Sequence, residues 1–246
     1  MFLAAAWALL PVLPALWSGH LVGHGLTDLF PSVWGLWWFV QEQPGLPSYS
    51  SQLAAPEGMG FYYSSPIRGW FAWPILGFAG LTKTWNLLVV LARAATVLCA
   101  YGAARAWRLS VPGALVAAAV YGASPYFHGY TVEGIVEGQD GWALALYLWS
   151  LAGRRRLVSG LALGLTLWTG WYAGATACVF AVLMGRRGWW SLWGILIAVP
   201  ALIQFGAAFP EASSIAPEVR ASMGTALGRW RPGSLSGLSP FAKTSW

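Results

Sequence analysis

Apolar runs recur along this chain, each stopped by arginine or by glycine and proline, and lipid absorbs such a pattern where a single water-facing core does not. The charge content sharpens the point. Soluble domains carry about 25% charged residues, whereas this chain carries 9% against 57% hydrophobic. Tryptophans cluster at run ends, as in Trp37-Trp38 and Trp189-Trp190, where an indole satisfies both its apolar body and its N–H in the headgroup zone. The net charge of +6 resides largely in arginines flanking apolar runs. It reads as membrane orientation, and nucleic-acid binding is set aside. Cys99 and Cys178 lie inside apolar runs, away from any metal-ligand spacing, and read as packing residues.

The expected fold is all-α, a polytopic helical membrane protein of about seven transmembrane helices plus an external juxtamembrane helix. The candidate spans are Phe2 to Ser18, Trp85 to Ala104, Val111 to Tyr126, Gly141 to Gly153, Leu157 to Trp168, Trp171 to Gly185 and Trp189 to Phe205. The first lacks a basic leader, and Ser18-Gly19-His20 makes a poor cleavage site, so it reads as an uncleaved span. Three basic turns set the orientation: Arg105 with Arg108, Arg154-Arg155-Arg156, and Arg186-Arg187. Each is separated from the next by two spans, so all three fall on the cytoplasmic side together. Parity then places Pro66 to Leu81 along the outer surface, as Pro66, Pro74, Trp70 and Trp73 suit an interfacial helix. An outside amino terminus with eight spans is the competing arrangement. Leu157 to Gly185 is read as two short helices joined by an interfacial turn at Trp168-Thr169-Gly170-Trp171. The resulting division is a transmembrane bundle over 1–205, with an external loop 19–84, and an external polar tail over 206–246 that reads as the start of a further C-terminal part.

This topology puts every acidic side chain (Asp28, Glu42, Glu57, Glu133, Glu137, Asp140, Glu211, Glu218) on the outer face with His20, His24 and His128. Acidic residues orient spans only weakly, so the one-sidedness points to chemistry outside. Asp28 suits a general base on a hydroxyl, or a ligand holding a divalent cation beside a phosphate; a helix cap ahead of Pro31 is the plainer reading. Glu133, Glu137 and Asp140 form a second acidic group, with Glu133 and Glu137 one turn apart if helical, and solvated loop charges as the alternative. His20, His24 and Asp28 are spaced to share a helical stripe and could ligate a metal, although Gly19, Gly23 and Gly25 weaken that helix. Arg68, Lys83 and His128 are candidates for meeting a lipid phosphate, with snorkelling as the competing account. Arg93 lies within the second span, where a cation is costly and calls for a partner or a watery cavity, an external carboxylate being the natural candidate.

The order of these features resembles the amino-terminal part of the GT-C superfamily of polytopic membrane glycosyltransferases, over nearly the whole chain. The residues that carry it are a span leading to Asp28, the surface segment Ser65-Pro66-Ile67-Arg68-Gly69-Trp70, and a span ending at Arg105 and Arg108. A span ending Ala123-Ser124-Pro125, a second acidic loop and a hairpin turning at Trp168 to Tyr172 follow. The resemblance implies transfer of a sugar from a polyprenyl-phosphate donor to an acceptor on the outer face of the membrane, with Asp28 at the catalytic-base position. It also implies membrane lipid and the lipid-linked sugar as partners, and a bacterial cytoplasmic (inner) membrane with the active face outward as the setting. The alternative is a non-catalytic membrane subunit or a lipid or solute translocator. With only Arg93 deep in a span, a polar pathway is the less supported of these.

Overall fold

A computed structural model describes residues 8–25, 28–41, 49–50, 59–60, 63, 65–153 and 156–213. Among these residues the fold is all-α apart from one two-residue antiparallel ladder, Tyr49–Ser50 with Met59–Gly60. The chain divides into two compact units: Met1–Pro47 with Tyr63–Gln204, and Ser48–Tyr62 with Phe205–Trp246. The second contains the ladder and the end of the last helix; the first holds everything that follows.

In the first unit, α1 (Ala15–Ser18) and α2 (Leu29–Gln41) lead to α3 (Pro66–Ala79) and α4 (Leu81–Ala106). Pro66 occupies the first turn of α3, where a missing N–H costs nothing. Gly80, at φ 76°, ends α3 in a conformation that other residues resist, and the chain turns into α4 at once. Beyond it come α5 (Val111–Gly122), α6 (Pro125–Glu133), α7 (Val136–Gln139), α8 (Gly141–Ala152), α9 (Arg156–Thr169) and α10 (Trp171–Leu183). The short α11 (Arg186–Trp189), a 3₁₀ turn at Leu192–Gly194 and α12 (Ile195–Ser213) complete the series. The α5/α6 break is local chemistry: Pro125 disfavours a helical Ser124, whose hydroxyl instead accepts the Phe127 N–H at 3.4 Å.

The long helix α4 is the spine, packed against α5 and α8, with α9 against α8 and α10, and α3 against α2 and α4. Glycines permit the close crossings. A Cβ at Gly102 would stand 2.7 Å from the Trp149 ring, and one at Gly164 would stand 2.8 Å from the Gly194 carbonyl oxygen. Side-chain contacts sort the ends of the helices. At one end the Trp107 indole donates to Leu148 O (3.1 Å), the Arg156 guanidinium lies 4.5 Å from the Trp190 ring, and Trp193 Nε1 donates to Arg156 O (3.4 Å). Arg156 lies at this end, and Arg105 closes α4 beside Trp107. At the other, Tyr121 donates its hydroxyl to Gly141 O (3.0 Å), the Trp70 and Trp168 rings meet at 4.7 Å, and Gly170 packs against Glu137.

Alongside an apolar core that includes Trp38, Trp85, Leu163 and Val97, several polar side chains are buried and many apolar ones are exposed. Arg68, Arg93, Asn86, Gln139, Asp140 and Thr166 are buried, while Leu91, Leu98, Val116, Leu157, Leu183, Leu196 and Ile203 face outward. Only α4 among the described helices is both long and apolar enough to cross a membrane; Gly141–Ala152, Trp171–Leu183 and Leu192–Ala207 are shorter apolar helices. At 1.5 Å per residue α4 measures about 39 Å and α8 about 18 Å, against a hydrocarbon core of about 30 Å.

Several expected boundaries move. Phe2 to Ser18 is not one helix in its described part: turns occupy Leu10–Pro14, where Pro11 and Pro14 lack N–H groups, and only Ala15–Ser18 is helical beyond them. The expected span ending at Tyr126 stops at Gly122, and Trp189 belongs to α11 rather than to the last long helix. Pro66 to Leu81 does form a separate helix over Pro66–Ala79, and Leu157 to Gly185 does form two, parted at Gly170. Of the tail 206–246, residues through Ser213 continue α12, and the remainder lies outside the described residues.

Candidate functional site

The acidic end of the bundle is organised around a buried ion pair that joins α3 to the start of α8. Arg68 Nη2 donates to Asp140 Oδ1 at 2.9 Å, with the two side chains 2% and 5% exposed. Its other terminal nitrogen donates to Gln139 Oε1 at 2.6 Å, and the guanidinium lies 5.5 Å from the Trp85 ring centroid. Asp140 is satisfied in turn by the Ser65 hydroxyl (3.1 Å) and the Trp142 indole (3.2 Å). A planar guanidinium suits this role, since carboxylate, amide and aromatic face each meet a different edge or face of it. Tyr63 is buried nearby with no partner for its hydroxyl. Burial pushes its pKa well up, the positive charge of Arg68 opposes that, and Asp140 and Glu137 add to it.

The first turns of α4 carry this order into the segment before α2. Trp85 Nε1 donates to Val22 O (2.8 Å), Asn86 Nδ2 donates to Ala15 O (2.8 Å) and His20 O (2.6 Å), and Asn86 Oδ1 accepts Val22 N–H (2.9 Å). Segment 19–25 has no helical ladder of its own, so these bonds supply partners for its backbone. From there Leu29, the first residue of α2, packs on Gly134: a Cβ at Gly134 would be 2.6 Å from the Leu29 Cβ and 2.7 Å from its Cα. Gly134 must be bare for a second reason, its φ of 71°. The contact sets Asp28 and Glu133, each adjacent in sequence to one partner and each exposed, on neighbouring pieces of chain.

The sequence-expected residues therefore divide. Asp28 is exposed immediately before α2, its carbonyl accepting Ser32 N–H at 2.9 Å, so its backbone begins the helix while its carboxylate faces out. Glu133 and Glu137 do not share a helix, because the left-handed Gly134 ends α6 between them; Glu137 is half-buried in α7. Asp140 is not a solvated loop carboxylate but half of a buried ion pair. Arg68, expected to meet phosphate, has its terminal nitrogens engaged by that carboxylate and by Gln139. Lys83 and His128 are exposed, on the first turn of α4 and on α6. The stripe of His20, His24 and Asp28 is not formed: the helix stops at Ser18, and Gly19 (φ 70°) turns the chain away. Among the described residues no group of three or more His, Cys, Asp or Glu is placed to hold a metal ion. Arg93 is buried, 2% exposed, and its Nε and Nη1 have no hydrogen-bond partner; the expected carboxylate partner is not found among the described residues. Glu42, Glu57 and Glu218 lie outside the described residues, as does the side chain of Glu211.

Sequence reading missed the importance of Gln139, Trp85, Asn86 and Ser65. Gln139 and Asn86 carried a signal, a strongly polar amide beside apolar or glycine-rich stretches, but no partner could be assigned from spacing. No family model, no curated protein and no solved structure matches the chain.

Proposed function

We propose that this chain is a polytopic membrane protein whose acidic end faces outward and transfers a sugar from a polyprenyl-phosphate donor to an acceptor hydroxyl. The membrane part rests on the many apolar side chains exposed on the bundle, on the charged and amide side chains buried within it, and on Arg105, Arg108 and Arg156 near one end. In this reading the short helices α5, α8, α9 and α10 act as the remaining spans beside α4, completing their crossing with flanking turns or in a thinned bilayer. The setting is a cytoplasmic membrane, with a bacterial inner membrane the expected case.

The observation that carries the transferase reading is the Leu29–Gly134 contact, which joins two acidic segments over a hundred residues apart in sequence at one exposed surface. Asp28 takes the proton of the acceptor hydroxyl, whose oxygen attacks the anomeric carbon; the bond from that carbon to the phosphate oxygen breaks, and polyprenyl phosphate leaves. Lys83 and His128 are the exposed groups for the departing phosphate. Arg68 has a different part, holding Asp140 and Gln139 so that the acidic end keeps its shape.

The test is transfer of labelled sugar from polyprenyl phosphate by the full chain in vesicles. Removing a general base costs about 10²- to 10⁴-fold, so Asp28→Asn is expected to lose at least a hundredfold in rate, about the lower bound of that range. Unchanged transfer by Asp28→Asn would refute the assignment, and labelling of a cysteine at position 28 from the cytosol alone would refute the sidedness.

A further inference from the structure

Helix α6 carries Tyr126, Tyr130 and Glu133 at spacings of four and three residues, which sets the three on one face. The Tyr126 and Tyr130 rings meet at 4.6 Å with planes 40° apart. Tyr172 stands in the first turn of α10, just past Gly170, which packs against Glu137 at the same end of the bundle. Tyr126 and Tyr172 are 50% and 67% exposed.

The underside of this surface is fixed. The Tyr130 ring rests on bare Gly138, where any Cβ would collide with it, and Phe127, edge-on to Tyr126 at 5.1 Å, rests likewise on Gly141. The Gln139 side chain, already bonded to Arg68, donates to Tyr130 O at 3.4 Å. Arg68 thus also steadies the backbone under these rings through Gln139, while Tyr126 stays exposed.

We propose that Tyr126, Tyr130 and Tyr172 form a platform for a pyranose ring, a sugar subsite leading to Glu133 and Asp28; it rests on the transferase reading and specifies where the sugar lies. A sugar presents a face of C–H groups that packs on an aromatic ring and a rim of hydroxyls that donates to carboxylate, which is the combination this surface offers. A lipid phosphate is the wrong occupant for the stripe, because it ends on an anionic group, Glu133, and contains no basic residue. Burial pushes the Tyr126 phenol up to about 12, with Tyr130 and Tyr172 adding to it, so this hydroxyl keeps its proton at neutral pH.

The experiment is saturation-transfer NMR on the full chain in phospholipid nanodiscs free of sugar detergents, with methyl glucopyranoside, methyl mannopyranoside and methyl galactopyranoside as probes. At least one probe is expected to show contact through its ring protons. Tyr126→Ala and Tyr172→Ala are expected to weaken that binding by at least about three-fold, the scale of an aromatic contact, while Tyr172→Phe keeps it. No contact with any of the probes, or contact equal to wild type in both alanine variants, overturns the platform, even if labelled-sugar transfer persists. Tyrosine-dependent contact in a chain that transfers no sugar supports the platform and sinks the transferase instead.

Discussion

Replacing Asp140 by leucine strands the Arg68 guanidinium in a site where it is 2% exposed. Three contacts are lost together: the 2.9 Å ion pair, the Ser65 hydroxyl bond at 3.1 Å and the Trp142 indole bond at 3.2 Å. Gln139 Oε1 at 2.6 Å and the Trp85 face at 5.5 Å remain, and neither is a counter-charge. Breaking a buried pair by removing one partner costs about 3–5 kcal/mol, most of it the uncompensated charge. At about 1.4 kcal/mol per factor of ten, the folded-to-unfolded ratio drops by roughly 10² to 10³·⁵. Arg68→Met strands Asp140 in the same way, though Ser65 and Trp142 still donate to it, so its cost falls at the lower end of that range. The double variant removes both charges and leaves apolar groups of similar volume, for which a near-neutral result, within about 2 kcal/mol of wild type, is expected. Unfolding of the three variants in detergent micelles, followed by tryptophan fluorescence, measures the coupling directly. Single variants costing under about 1 kcal/mol, or a double variant as damaged as the sum of the singles, would show that the pair is not the organising contact of this end.

Arg93→Met removes a buried cation whose Nε and Nη1 lack partners, and stabilisation by about 1 kcal/mol or more in the same unfolding assay is expected; a destabilised variant would mean that Arg93 is compensated. Gly194→Ala drives a Cβ into the backbone carbonyl of Gly160 across the α9 crossing, where neither side can rotate away, so a loss of about 1–3 kcal/mol is expected, checked by the unfolding midpoint. The raised pKa of Tyr63, caused first by burial, makes the unfolded chain lose its phenolic proton before the folded one. Stability is therefore intact below the ordinary value of about 10 and falls by up to about 1.4 kcal/mol per pH unit above it. Tyr63→Phe, which also removes the unpartnered hydroxyl, should flatten that slope, and a slope equal to wild type would exclude Tyr63 as its source.

The helical class and most of the breaks were legible because they are local. Gly80 ends α3 and Gly170 parts α9 from α10, each by backbone preference over a few neighbouring residues, whereas the expected span over Val111 to Tyr126 ran past the break at Ser124-Pro125. The first span was misjudged for the same kind of reason, since its apolar composition outweighed Pro11 and Pro14 in the reading although the backbone obeys the prolines.

Partnership was not legible. Spacing placed Arg68 and Asp140 in different roles, and nothing in a one-dimensional pattern says that a cation and a carboxylate 72 residues apart will satisfy each other in an apolar interior. Nor does it say that Leu29 will need Gly134 bare beneath it. The chain itself determined the apolar surface, the helix breaks and the distribution of basic turns, because those follow from solvation and backbone sterics. The tertiary structure alone decided which polar groups are consumed in holding the bundle together and which, Asp28, Tyr126 and Tyr172 among them, are exposed. Arg68 keeps its charge in the interior because Asp140 reaches it from a part of the chain that spacing alone does not bring near.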